Sequence, residues 1–235
     1  MPVRTAPVRK AKDPQRCLLL LHGVGSHGHQ MPGMLTRFPR RGYSVLAPDS
    51  RAHGESEGLQ VTYGRKEAQD LKLWVNWLEK QPGCQGGIYA LGISMGAAVL
   101  LQALAEEPRI RAAVAESPFL SFAEIGANRL EQFAAPLGLV APALVPLGMA
   151  WANWRHGVDL RLASPEIAAP RIKAPVLLIH GTQDSNIPPR HSEILLPRLR
   201  RARLWKVEGA EHAGCFGRDP AAYLAEVDEW FHSAR

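Results

Sequence analysis

The chain has 235 residues, 46% hydrophobic and 21% charged, enough apolar material for one α/β domain with a sizeable core. That balance excludes a disordered, collagenous or multi-span membrane chain. The net charge of +6 is concentrated in residues 1–16, where Arg4, Arg9, Lys10, Lys12 and Arg16 face only Asp13, so the body is close to balanced and nucleic acid is not an expected partner. Residues 1–16, with Pro2, Pro7 and Pro14, read as a basic tail, and residues 17–235 as the domain. The apolar run Cys17–Leu21 is too short for a signal-peptide core, which argues against secretion. The Arg-rich tail lacks serine before Ser26 and leaves an organellar transit peptide as the alternative. Cys17, Cys84 and Cys215 are odd in number and form no C-x-x-C pair, so they read as free thiols in the reducing cytoplasm.

Six short apolar runs then follow in order: Cys17–Leu21, Tyr43–Ala47, Gly87–Leu91, Ala112–Ala115, Val176–His180 and Arg203–Val207. Each is apolar at successive positions, the pattern of parallel strands covered on both faces, and helix signals follow most of them. Between Arg65 and Lys80, Ala68, Leu71, Trp74, Val75 and Leu78 draw one apolar stripe at helical spacing. A second helix is read over Ala97–Glu106, and a last one begins where Asp219 caps and Pro220 fits the first turn, with Leu224, Val227 and Phe231 facing inward. The expected fold is α/β, a mostly parallel sheet of about six strands with helices on both faces. The alternation breaks over about residues 117–170, which contain the uncharged run Phe133–Trp151. Pro136, Pro142 and Pro146 argue against a membrane span there, and an inserted helical cap over the strand ends is expected.

Gly92-Ile93-Ser94-Met95-Gly96 matches G-x-S-x-G. The string alone is weak, but it lies between the strand Gly87–Leu91 and the helix Ala97–Glu106, at a turn where glycines let strand and helix backbones pass closely. A serine hydroxyl attacks only when a base removes its proton, and that base must be oriented by a carboxylate. Asp184 follows the strand Val176–His180, and His212 lies in the loop after Arg203–Val207. All three then sit at C-terminal strand ends, where open α/β sheets place their sites. A serine that only caps the helix at Ser94 is the bland alternative.

With Leu18-Leu19-Leu20-Leu21-His22-Gly23 at the first strand end, Asp49-Ser50-Arg51-Ala52-His53-Gly54-Glu55-Ser56 resembling the turn D-x-R-G-H-G-x-S, the Ser94 turn, and the Asp184 and His212 loops, the chain resembles the α/β-hydrolase superfamily, nearest to small serine esterases and lysophospholipase-like proteins, over about Leu18–Phe231. The resemblance implies the triad Ser94, Asp184 and His212, in that chain order, with the amides of Val24 and Met95 as the oxyanion hole. It implies a carboxylesterase-type serine hydrolase (EC 3.1.1) acting on an ester or thioester through an acyl-enzyme, with no cofactor and no metal. Peptidase or acyltransferase chemistry of the same fold stays open, and from another class a non-catalytic binding protein. An apolar cap implies an apolar small-molecule ester.

Two departures from the family pattern stand out. Ala52 replaces a glycine, and the two strands that usually precede His-Gly are missing. The core is therefore N-terminally minimal. The strand Tyr43–Ala47 is left at an open edge, expected to be covered by residues 1–12 or by a homodimer. Glu116, at the end of Ala112–Ala115, competes with Asp184 for the acid role. His22, His27 and His29 lack a nearby carboxylate for a metal site; Asp49 and His53 read as turn-fixing residues, Cys215 as packing, and Arg198, Arg200, Arg201 and Arg203 as a solvated basic surface.

Overall fold

A computed structural model describes residues 16–133 and 141–233. The basic tail, Arg16 apart, and residues 134–140 of the uncharged run lie outside the described residues. Six strands form, β1 (Arg16–Leu21), β2 (Tyr43–Leu46), β3 (Ile88–Ile93), β4 (Ile110–Glu116), β5 (Val176–Gly181) and β6 (Ala202–Val207), in one sheet of order β2-β1-β3-β4-β5-β6. Every adjacent pair is parallel. The helices are α1 (Pro32–Arg37), α2 (Glu67–Leu78), α3 (Met95–Leu104), α4 (Phe122–Phe133), α5 (Ala141–His156), α6 (Pro165–Ala168), α7 (Arg190–Leu195), α8 (Cys215–Arg218) and α9 (Pro220–Ser233).

β1 explains the layers. Successive side chains of a strand point to opposite faces. Cys17, Leu19 and Leu21 therefore join Leu71, Trp74, Val75 and Leu78 of α2 and Leu100, Leu101 and Leu104 of α3 in one core. Leu18 and Leu20 join Met34 and Leu35 of α1 and Leu224, Val227 and Phe231 of α9 in the other. Each such side chain contributes about 1.5–3 kcal/mol on burial. The start of α9 follows its sequence signal: the Asp219 carboxylate accepts hydrogen bonds from the Ala221 and Ala222 amides at 3.0 and 2.9 Å, and Pro220 opens the first turn.

Two sequence expectations are corrected. β6 is not buried on both faces, because it is an edge strand and Arg203 and Lys206 extend into solvent. Cys17 and Cys84 are not free thiols but form a disulfide, since pairing of β1 with β3 brings the start of β1 against the turn that enters β3; Cys215 alone is a free thiol, and it is buried. Between β4 and β5 the chain carries α4, α5 and α6, and Gly126 of α4 packs beside Val145 of α5. Leu147, Trp151 and Trp154 of α5 are exposed, while Ile125 and Arg129 of α4 line the cavity at the strand ends. Among the described residues no helix is long and apolar enough to cross a membrane. β2 stands at the opposite edge with all four side chains buried, and the cover expected from residues 1–12 lies outside the described residues.

Candidate active site

Ser94 sits between β3 and α3 with φ 55° and ψ −116°, a strained conformation that turns the chain abruptly. The flanking glycines are required by contact. A Cβ on Gly92 would collide with the Gly96 carbonyl, and one on Gly96 with the Leu21 carbonyl of β1. The Ser94 amide donates to the Glu116 carbonyl at 2.8 Å, tying the turn to β4. Met95, the first residue of α3, has an amide with no intrahelical acceptor, and it lines the same cavity as Ser94.

Two further turns meet this one. Gly181 ends β5, and a Cβ there would strike the Ala210 carbonyl, so glycine lets the turn to Asp184 and the loop to His212 approach. The Gln183 amide donates to Ala210 O at 3.0 Å and the Gly209 amide to Thr182 Oγ1 at 2.9 Å, bracing one turn against the other. The result joins the three expected residues in a row. His212 Nε2 lies 2.9 Å from Ser94 Oγ, and its Nδ1 lies 2.8 Å from Asp184 Oδ2. Asp184 is 3% exposed, which pushes its carboxyl pKa up, but N–H groups of His180, His212 and Ile187 outweigh the burial and hold it below the usual carboxylate range. An ionised Asp184 keeps the His212 proton on Nδ1 and leaves Nε2 to accept from the serine hydroxyl.

Glu116 is wired elsewhere. Wholly buried, it accepts from the Cys215 amide at 3.0 Å and from the Tyr223 hydroxyl at 2.8 Å, so it anchors the segment after His212 to α9. Burial pushes its carboxyl up despite these two donors. Burial and the adjoining Glu116 also push the Cys215 thiol up, away from the reactive thiolate. Nothing in the sequence pattern marked Glu116 as this brace, because its partners lie about a hundred residues away.

Ser94 and His212 open on a cavity of about 400 Å³. Its wall takes Val24 from the loop after β1, Met31, Met95, Phe119, Ile125 and Ile187 as apolar surface, with Ser26, Tyr63, Asn186 and Arg129 as polar points. Ile125 and Arg129 come from α4. α4 lies inside the cap expected over about residues 117–170; of the described side chains in the run Phe133–Trp151 none lines the cavity. The remaining histidines have local work. His22 Nε2 accepts from the Ser50 amide at 2.9 Å, so Nδ1 carries the proton and donates to Gly23 O at 2.8 Å. Asp49 accepts from the Gly28 and Glu55 amides at 2.8 and 3.0 Å, joining two turns, and His53 Nδ1 lies 2.9 Å from Arg51 O. Arg198 pairs with Glu166 and Arg203 with Glu226 on the surface. Among the described residues no group of three or more His, Cys, Asp or Glu side chains is arranged to hold a metal ion.

The sequence matches the family described as serine aminopeptidase, S33, over residues 12–165. It is 30% identical to the uncharacterized protein YqkD of Bacillus subtilis over 221 residues, covering 93% of this chain and 72% of that one. It is 25% identical to a monoacylglycerol lipase of Mycolicibacterium smegmatis over 224 residues, covering 80% of this chain and 76% of that one. Among solved structures, an esterase of Pyrococcus furiosus superposes with a TM-score of 0.76 at 25% identity, covering 98% of this chain and 92% of that one.

Proposed function

From a chain that belongs to the serine aminopeptidase S33 family of α/β-hydrolases, we propose an esterase that hydrolyses small apolar carboxylic esters or thioesters, with Ser94 as nucleophile, His212 as base and Asp184 as the orienting acid. The observation that carries this reading is the continuous row from Ser94 Oγ through His212 to Asp184, at 2.9 and 2.8 Å, facing the cavity. His212 takes the Ser94 proton as Oγ attacks the ester carbonyl carbon. Charge gathers on the carbonyl oxygen, where the Met95 and Val24 amides receive it. His212 then gives the proton to the departing alkoxide or thiolate, leaving an acyl-serine and a free alcohol or thiol. Water, deprotonated by the same imidazole, attacks the acyl-serine and releases the acid. No cofactor or metal enters these steps.

The helices between β4 and β5 serve as a cap. Through Ile125 and neighbouring Phe119 they favour an apolar acyl or alcohol group. Ester rather than aminopeptidase chemistry is favoured by the wall itself: a free α-ammonium needs an anionic partner when desolvated, and no carboxylate side chain is among the described lining residues. The esterase and lipase relatives point the same way. The Cys17–Cys84 bond removes the ground that three reduced thiols would give for a cytoplasmic site. Among the described residues strand β2 leaves one backbone edge of the sheet without a strand neighbour, which supports a homodimer closed through that edge; light scattering that finds only monomer would overturn it.

Labelling with a fluorophosphonate tests the core of the proposal. Wild type is expected to take the label on Ser94, and Ser94→Ala to stay folded, lose the label and lose about 10³-fold or more of ester turnover. A label found on another residue overturns the assignment. In a panel of esters of graded acyl length and charge, apolar esters should turn over fastest; polyanionic esters in first place would refute the apolar substrate class.

A further inference from the structure

Behind Asp184, on the side away from the cavity, lies a second imidazole. His180, at the end of β5, is fully buried. Its Nε2 is 2.8 Å from the Ile187 carbonyl and 3.4 Å from Asp184 Oδ2, and its Nδ1 is 2.7 Å from Ser192 Oγ on α7. A carbonyl only accepts, so Nε2 must carry a proton. Among the described residues the Ser192 hydroxyl has Nδ1 as its hydrogen-bond partner, and it donates there. Ser192 is itself fully buried. The Nε2–H thus points between Ile187 O and the carboxylate oxygen that holds His212.

Ile187 closes the arrangement. Its carbonyl accepts a hydrogen bond from His180 Nε2–H while its amide donates to Asp184 Oδ1 at 2.8 Å, beside the Asn186 amide at 3.1 Å. His180 therefore secures the turn 184–187 from below, and that turn secures Asp184. We propose that His180, set by Ser192, is a positioning residue for the reaction at Ser94, holding the Asp184 carboxylate against His212. This rests on the reading of Ser94, His212 and Asp184 given above. Neither His180 nor Ser192 lines the cavity, so neither touches substrate. Loss of the pair acts through His212. A loosened Asp184 stabilises the imidazolium less, so the His212 proton binds more weakly. The titratable groups around Asp184 and His212 in this cluster are His180, Cys215, Glu116 on β4 and, further back, His191 on α7.

The experiment measures kcat, KM and the pH profile of kcat/KM with p-nitrophenyl butyrate for wild type, His180→Leu, His180→Gln and Ser192→Ala, with circular dichroism for folding. His180→Leu should lower kcat about 10- to 100-fold, the usual effect of removing a partner that orients a reacting group, with KM within about twofold. Its acidic limb should move to lower pH. His180→Gln, whose amide N–H can stand near the Nε2 position, should recover most of the rate, and Ser192→Ala should show the His180→Leu pattern in weaker form. In proton NMR the downfield His212–Asp184 resonance should weaken or shift in the same order.

Folded His180→Leu with wild-type kcat and an unmoved acidic limb overturns the proposal. So does a loss of rate without a shift of that limb or of the downfield resonance, since that is what simple loosening of the core would give. If His180→Leu fails to fold, Ser192→Ala decides by the same readouts. Fluorophosphonate labelling of wild type at Ser94 runs alongside: its failure removes the esterase reading, whereas label on Ser94 with unaffected variants removes only the role of His180.

Discussion

Asp184 and Glu116 are both carboxylates at strand ends, and their partners separate their roles. Asp184→Asn keeps the shape of the side chain but favours the wrong tautomer of His212, so ester turnover should fall on the order of 10⁴-fold. Glu116→Gln keeps one acceptor for the Cys215 amide or the Tyr223 hydroxyl and should cost less than about tenfold. Turnover by the two purified variants checks this, and an active Asp184→Asn beside a dead Glu116→Gln would reverse the roles. The same carboxyl has a stability signature. The folded-state pKa of Asp184 lies below the unfolded value of about 3.9, so its contribution is fully present well above that pH and is lost progressively as pH falls below it toward the folded value. Urea midpoints of wild type should therefore drop more between pH 7 and pH 3 than those of Asp184→Asn. Ser94, Asp184 and His212 were legible because each stands in a polar, glycine-bearing turn just after an apolar run. His180 was not, since it belongs to the run itself. Its significance arises only when β5 and α7 pack and bring Ser192, twelve residues on, against its ring.

At the scale of elements, the turn after β2 carries a local conflict. Ala52 has φ 59°, a left-handed conformation that costs a residue with a Cβ about 1–2 kcal/mol. Glycine there would relieve that strain, while its freedom in the unfolded chain returns part of the gain. Ala52→Gly should raise the melting temperature by about 1–4 °C, and calorimetry showing a fall would mean that Ala52 makes a compensating contact. The departure from the family's turn was visible in the sequence; its backbone angle was not. All six strands were legible as apolar runs, and α2 as a stripe, because buried parallel strands and amphipathic helices advertise their period. The six-residue helices α1 and α7 were not, being too short to repeat an apolar face. The edge position of β6 was hidden too, because it is a property of strand order and not of the strand, although Arg203 and Lys206 stand in its sequence.

For the molecule as a whole, the bond between Cys17 and Cys84 closes a loop of 67 residues' separation. Such a link restricts the unfolded chain and contributes about 2–4 kcal/mol. Reduction, or Cys17→Ser, should lower the melting temperature by roughly 5–15 °C for a chain of this size. Thiol titration in denaturant should count one reactive cysteine before reduction and three after; three before reduction would refute the pairing. The bond was illegible because two isolated cysteines carry no spacing signal, and their meeting depends on β1 lying beside β3.

The insertion between β4 and β5 divides the chain unevenly in a chemical sense. Everything proposed to attack the ester and hold its oxygen, Val24, Ser94 and Met95, is encoded before residue 117; the base and its acid, His212 and Asp184, come after residue 175. The two stretches meet along the β4–β5 ladder, from Ala113 beside Val176 to Glu116 beside Ile179, and that ladder does not pass through the inserted helices. The insertion's share of the cavity wall, Ile125 and Arg129, therefore stands apart from the strand pairing that joins the two halves of the proposed centre. Exchange of Ile125 or Arg129 on α4 changes the cavity wall without touching that ladder, and two co-expressed fragments parted within the insertion retain the strand pairing needed to reassemble a working centre.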